Sequence, residues 1–216
     1  MSEATDNELL QRLRQGDEAA FVALYRRRQG IVYRFALRMC GSETIAEDVT
    51  QEVFLILMRE AARFDATRAQ LTTWLLGIAR NQVLKRLERE RRWVALADDE
   101  TENNFAHHAP DPFAALSHKL TVETVRQAVL ALPPPYREVV VLCELQEMTY
   151  AETAEVLGCA IGTVRSRLHR GKALLSGTLS ALASKSGSPR EAAPLALSQT
   201  NHLLQRAGMP ALPGKP

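Results

Sequence analysis

The chain has 216 residues, 46% of them hydrophobic and 24% charged, with 27 Lys and Arg against 25 Asp and Glu, a globular composition that suits one mid-sized domain or two small ones. Aromatic residues make up only 6%, which argues against a β-sandwich or barrel and for helices. No apolar run reaches the length of a membrane span, the N-terminus lacks the pattern of a secretory signal, and Cys40, Cys143 and Cys159 form no CxxC pair, so a cytoplasmic protein with reduced thiols is expected.

In chain order, residues 6–16 read as a short helix with Leu9, Leu10 and Leu13 on one side. Asp17 can cap a second helix running to Met39, in which Phe21, Leu24, Tyr25, Val32, Phe35 and Met39 recur at spacings of three and four. Gly41 can end it in the left-handed conformation. Thr44 and Glu47 fit a capping box for a third helix. There Ile45, Val49, Val53 and Leu57 repeat every four residues, with Phe54 and Met58 alongside. Residues 63–73 are polar and read as a loop. A fourth helix follows from about Thr72 to Trp93, with Leu75, Ile78, Ala79, Val83 and Leu87 as its apolar stripe.

Composition then shifts. Residues 94–117 hold five Asp and Glu and no Lys or Arg, and read as an acidic linker without a core of its own. Helical periodicity resumes over 118–131, and Pro133, Pro134 and Pro135 break it because proline lacks the N–H donor. Tyr136–Gln146 reads as a very apolar helix. Thr149 and Glu152 form another capping box, opening a helix to Leu157; Gly158 turns the chain, and Ile161–Leu175 forms the last helix. From 181 to 216 a Ser-, Pro-, Gly- and Ala-rich extension is expected to be partly disordered, a docked helix over 195–207 being the less favoured alternative. The expected domains are thus 1–93 and 118–180, joined by the linker 94–117.

The sharpest local signal is residues 149–172, two short helices around a glycine turn, the pattern of a helix-turn-helix. On a helical wheel Ile161, Val164, Leu168 and Leu175 cluster inward, while Gly162, Thr163, Ser166, His169 and Arg170 point out, flanked by Arg165 and Arg167. Residues 161–172 carry four Lys and Arg and no acid. Small polar groups can reach base edges while arginines meet phosphates; the plainer alternative is a solvated basic helix. A second signal is the stretch 77–93, with six basic and two acidic residues bracketed by Trp74 and Trp93. Cations beside aromatics suit single-stranded nucleic acid, although Glu88 and Glu90 could simply pair within the helix. Third, Asp48, Gln51 and Glu52 share one helix face. With no His or Cys beside them, a carboxylate surface for a basic partner is favoured over a metal or acid–base pair. His107 and His108 read as solvated. No GxxxxGK[ST], GxSxG or HExxH motif occurs, so no catalytic residue, metal or cofactor is expected.

Three stretches in this order resemble the extracytoplasmic-function group of bacterial sigma factors, the promoter-recognition subunits of RNA polymerase. AEDVTQEVFL (46–55) resembles the group's core-binding helix, FDATRAQLTTWLLGIARNQ (64–82) its minus-ten loop and helix, and residues 132–175 its minus-thirty-five domain. The resemblance implies two all-α domains and no enzyme activity. It implies that Asp48, Gln51, Glu52 and Phe54 dock on the clamp coiled coil of the largest polymerase subunit. Phe64, Asp65, Arg68, Thr72, Trp74, Arg80, Asn81, Lys85, Arg86 and Arg89 are expected at minus-ten DNA, the 64–72 loop receiving a flipped base. Thr163, Val164, Arg165, Ser166, Arg167, His169, Arg170 and Lys172 are expected at minus-thirty-five DNA. Further implied are an anti-sigma partner and no insertion into a membrane. Lys85 departs from the usual Asp of the group, and Thr153 from the usual Ile.

Overall fold

The computed structural model describes residues 4–97 and 116–185, with side chains at 4–89 and 122–181. All regular structure among the described residues is helical. Contacts group these residues into two units, one comprising 4–97 with 148–165 and the other 116–147 with 166–185.

The first unit opens with α1 (Asp6–Arg14), started by a capping box that the sequence reading did not pick out: Thr5 accepts from the Glu8 amide and Glu8 returns to the Thr5 amide. Asp17 caps α2 (Glu18–Cys40) by accepting from the Ala19 and Ala20 amides, and Gly41, at φ 76°, ends it in the left-handed region. The next helix, α3 (Glu43–Glu60), begins earlier than expected. Ser42 is its cap, accepting from the Ile45 amide, and Thr44 lies inside the helix. One 3₁₀ turn (Ala61–Arg63) and a loop lead to α4 (Leu71–Ala97), which runs into the stretch read as linker. Most of the expected stripes interlock: Leu24, Val32, Phe35 and Met39 of α2, Val49, Val53, Phe54 and Leu57 of α3, and Leu75, Ala79 and Val83 of α4 are buried, joined by Leu9 and Leu10 of α1. Leu76, outside the expected stripe, is buried too, whereas Ile45, Ile78 and Leu87 are only half-buried and Met58 is exposed, because the packed face is narrower and rotated from the one the spacing indicated. Burial contributes about 1.5–3 kcal/mol for each large apolar side chain.

In the second unit α5 (Leu116–Leu130) precedes α6 (Pro134–Val140), whose first residues are prolines, tolerated there because those N–H groups lack intrahelical partners. Arg137 staples the two helices, donating to the carbonyls of Leu130 and Leu132. A π turn (Val141–Leu145) continues α6, closed by the Gln146 amide on the Val141 carbonyl at 2.9 Å. The second capping box is present: Thr149 and Glu152 open α7 (Tyr150–Leu157), and Gly158, at φ 62°, ends it. The segment 148–165 groups with the first unit because α7 lies against α4. The last helix, α8 (Ile161–Lys185), is ten residues longer than the periodicity indicated.

No disulfide joins the cysteines. Among the described residues no helix is long and apolar enough to cross a membrane, and no group of three His, Cys, Asp or Glu could hold a metal ion. The histidine pair, residues 98–115 of the acidic stretch and the alternative helix over 195–207 lie outside the described residues.

Candidate nucleic-acid interface

On α3 the face opposite the core carries Asp48, Gln51, Glu52, Leu55 and Met58. Leu55 and Met58 are about half exposed, which is unusual for large apolar groups. Asp48 Oδ2 accepts from Arg86 Nη1 of α4 at 2.8 Å, and Glu52 Oε1 from Arg59 Nη2 at 3.1 Å. Phe54 is not on this face. It is buried, with its ring 4.8 Å from that of Tyr25 and 6.4 Å from that of Phe21, both edge-on. Its place in the apolar stripe decides its direction, so it is a core residue and not a docking residue.

Between α3 and α4 the chain makes an exposed loop. Phe64 at its start is buried, its ring 5.4 Å from that of the half-buried Trp74 at its far side. Phe64 therefore closes the base of the loop and presents no surface for DNA. Asp65 Oδ1 accepts from the Thr67 amide (2.9 Å) and hydroxyl (2.7 Å), a local turn of the kind Asp favours. The Thr67 hydroxyl, then its amide, hold the Asp65 carboxyl below the usual carboxylate range. Asp65 and Arg68 are exposed and Thr72 is partly so. Along α4, Asn81, Lys85 and Arg89 are exposed at spacings of four and share a face. Arg80 is half-buried, and Arg86 is half-buried and tied to Asp48.

On α8, Arg165, Ser166, His169 and Arg170 are exposed, with Thr163 and Arg167 half-buried at the margins. Val164 and Leu168 are buried. Val164 is therefore removed from the DNA-facing set: its apolar side chain seats the helix. Ile161, expected inward, is instead exposed at the first position of α8, while Val164 in the same turn takes the buried place. Lys172 Nζ pairs with Glu144 Oε1 at 2.7 Å, which ties it to the π turn. Gly171 is needed for close approach: a Cβ there would lie 2.9 Å from Val140 Cγ2 and 3.3 Å from the Tyr136 carbonyl oxygen.

Two residues of interest escaped the sequence reading. Tyr150 carries the Arg165 guanidinium over its ring at 5.9 Å. Arg14 donates to the backbone at the start of the 64–72 loop. Tyr150 is the first residue of α7, beside the Thr149 cap, and its 15-residue separation from Arg165 left the stacking unmarked in the sequence. Nothing in the spacing linked Arg14 to partners 47 and 50 residues away.

Comparison with known proteins accords with this geometry. Sigma-70 region 2 matches residues 24–93 and Sigma-70 region 4 matches residues 123–175. The chain is 30% identical over 173 residues to ECF RNA polymerase sigma factor SigW of Bacillus subtilis, covering 77% of this chain and 92% of that protein. It is 33% identical over 160 residues to ECF RNA polymerase sigma factor SigE of Mycolicibacterium smegmatis, covering 73% of this chain and 62% of that one. Among solved structures, CnrH in complex with the cytosolic domain of CnrY is similar at a TM-score of 0.60 and 27% identity, over 84% of this chain and 99% of that chain. The sigma factor RpoE from Bartonella quintana, solved with the anti-sigma factor NepR, shares the fold at a TM-score of 0.61 and 24% identity, over 74% and 96%.

Proposed function

The chain belongs to the extracytoplasmic-function group of RNA polymerase sigma factors, and on that premise we propose that it brings core RNA polymerase to specific promoters and assists their melting. Asp48, Gln51 and Glu52 offer carboxylates and an amide to the basic clamp coiled coil of the largest polymerase subunit, and Leu55 and Met58 add apolar contact on the same strip. The 64–72 loop, with Asp65, Arg68 and Thr72 accessible, receives a base from the melted minus-ten strand. Unstacking such a base costs a few kcal/mol, offset by the contacts it gains. Asn81, Lys85 and Arg89, with Arg80 and Arg86 beside them, track the adjoining backbone. Arg165, Ser166, His169 and Arg170 face the minus-thirty-five major groove, with Thr163 and Arg167 at the edges. Two solved relatives are held by partners, RpoE by the anti-sigma factor NepR and CnrH by the cytosolic domain of CnrY; an anti-sigma factor is read as this chain's restraint in the same way.

The observation that carries the reading is the exposed row on α8, basic and polar, on a helix anchored by Val164 and Leu168. The test is capture of the purified chain on core polymerase, followed by run-off transcription of fragmented genomic DNA. Stable holoenzyme and start sites sharing two spaced elements are expected. A chain that never joins the core, yet binds an operator by itself, would overturn the reading in favour of a stand-alone helix-turn-helix regulator.

A further inference from the structure

The first helix is pinned at both ends. At its head Asp6 accepts from Arg27 Nη1 (2.8 Å) and Arg28 Nε (2.7 Å) of α2. At its tail Arg12 pairs with Asp17, the cap of α2, at 2.7 Å. Leu9 and Leu10 are buried between these ties. From this fixed support Arg14 reaches the segment that leaves α3. Its Nε donates to the Ala61 carbonyl at 3.0 Å and its Nη2 to the Phe64 carbonyl at 2.5 Å. The Ala61 carbonyl also accepts from the Phe64 amide at 3.3 Å, and the rigid guanidinium fork adds a second donor there while it reaches the Phe64 carbonyl. Phe64 is the last buried residue before the exposed loop, and its ring closes the base of that loop against Trp74.

We propose that Arg14 is a positioning residue for promoter recognition, holding the start of the 64–72 loop in the shape that receives a minus-ten base. The inference rests on the reading of that loop given above. It assigns a role to α1, which precedes the residues matched by Sigma-70 region 2.

The test uses holoenzyme formed from the full chain and core polymerase. Bound sequences are selected from two duplex libraries, one randomised over the minus-ten element and one over the minus-thirty-five element. Arg14→Met keeps the aliphatic stem and removes the donors; it is expected to lower minus-ten discrimination about five-fold, the size of one or two lost hydrogen bonds. Preference at minus-thirty-five and affinity for the core stay as in the parent chain. Arg14→Lys recovers part of the loss, since an ammonium can reach one carbonyl. Hydrogen exchange at the amides of 65–70 quickens in Arg14→Met. Arg68→Ala serves as the control for the loop. If it relaxes minus-ten preference while Arg14→Met does not, the role of Arg14 is overturned and the loop reading stands. If neither variant changes that preference, the loop reading falls and the inference with it. Equal losses at both elements would make Arg14 a general stabiliser and likewise overturn the proposal.

Discussion

Asp48 of α3 and Arg86 of α4 form an ion pair at 2.8 Å, and through it the carboxylate face of α3 is tied to the basic face of α4. In the reading proposed above, one partner belongs to the polymerase surface and the other to DNA. Exposed pairs of this kind contribute about 0–1 kcal/mol, so a basic clamp can take Asp48 over at little cost and release Arg86 towards the promoter. Replacing both carboxylates, Asp48→Arg with Glu52→Arg, is expected to abolish capture on core polymerase while the melting temperature barely moves. Retained capture would remove the docking assignment.

Arg165→Ala and Arg170→Ala are each expected to weaken binding of holoenzyme to a selected promoter by about 1–3 kcal/mol. Tyr150→Ala should cost less, about 0.5–1 kcal/mol, by freeing the Arg165 guanidinium from the ring beneath it. Electrophoretic titrations on one duplex at fixed salt would measure all three. A Tyr150→Ala loss that persists in the Arg165→Ala background would show that the stacking is not the cause.

Phe54→Ala is expected to destabilise the first unit by about 3–5 kcal/mol, as for a large aromatic removed from a packed core. Its neighbour Leu55→Ala should leave the melt nearly unchanged and weaken capture on core polymerase. Thermal melting beside capture separates the two effects. A Phe54→Ala chain of parental stability would contradict its burial between Tyr25 and Phe21.

Among the described residues three carboxyls are held below their usual range: Glu8 by the Thr5 amide, Asp17 by the Arg12 guanidinium and then the Ala20 amide, and Asp65 by the Thr67 hydroxyl and then its amide. A carboxyl with a depressed folded-state pKa stabilises the fold above its unfolded value, and that contribution is lost as pH falls through the folded value. Melting temperature is therefore expected to hold from neutrality to the ordinary carboxylate range and to fall below it. Asp17→Asn should flatten part of that acid limb. An unchanged limb in this variant would show that the cap does not carry the effect.

Much of the fold was legible from local rules. The Asp17 cap, the Gly41 stop, the Thr149–Glu152 box and the Gly158 turn involve residues within four positions of one another, so spacing alone reveals them. The apolar stripes of α2, α3 and α4 were legible for the same reason, because a helix repeats on itself. The local rules misplaced one start: the spacing pointed to Thr44, whereas Ser42 caps α3, its hydroxyl accepting from the Ile45 amide.

Residue type, charge order and helical period were enough to put carboxylates on one face of α3 and cations along α4 and α8. The tertiary structure decided which of them are available. Phe54, Phe64 and Val164 turned inward because burying an apolar side chain outweighs leaving it as a contact, and Lys172 and Arg86 were claimed by acidic partners 28 and 38 residues away. The reach of Arg14 to two carbonyls across the unit belongs to the same class. Pairings across such separations depend on how helices meet in space, and no periodicity along the chain encodes them.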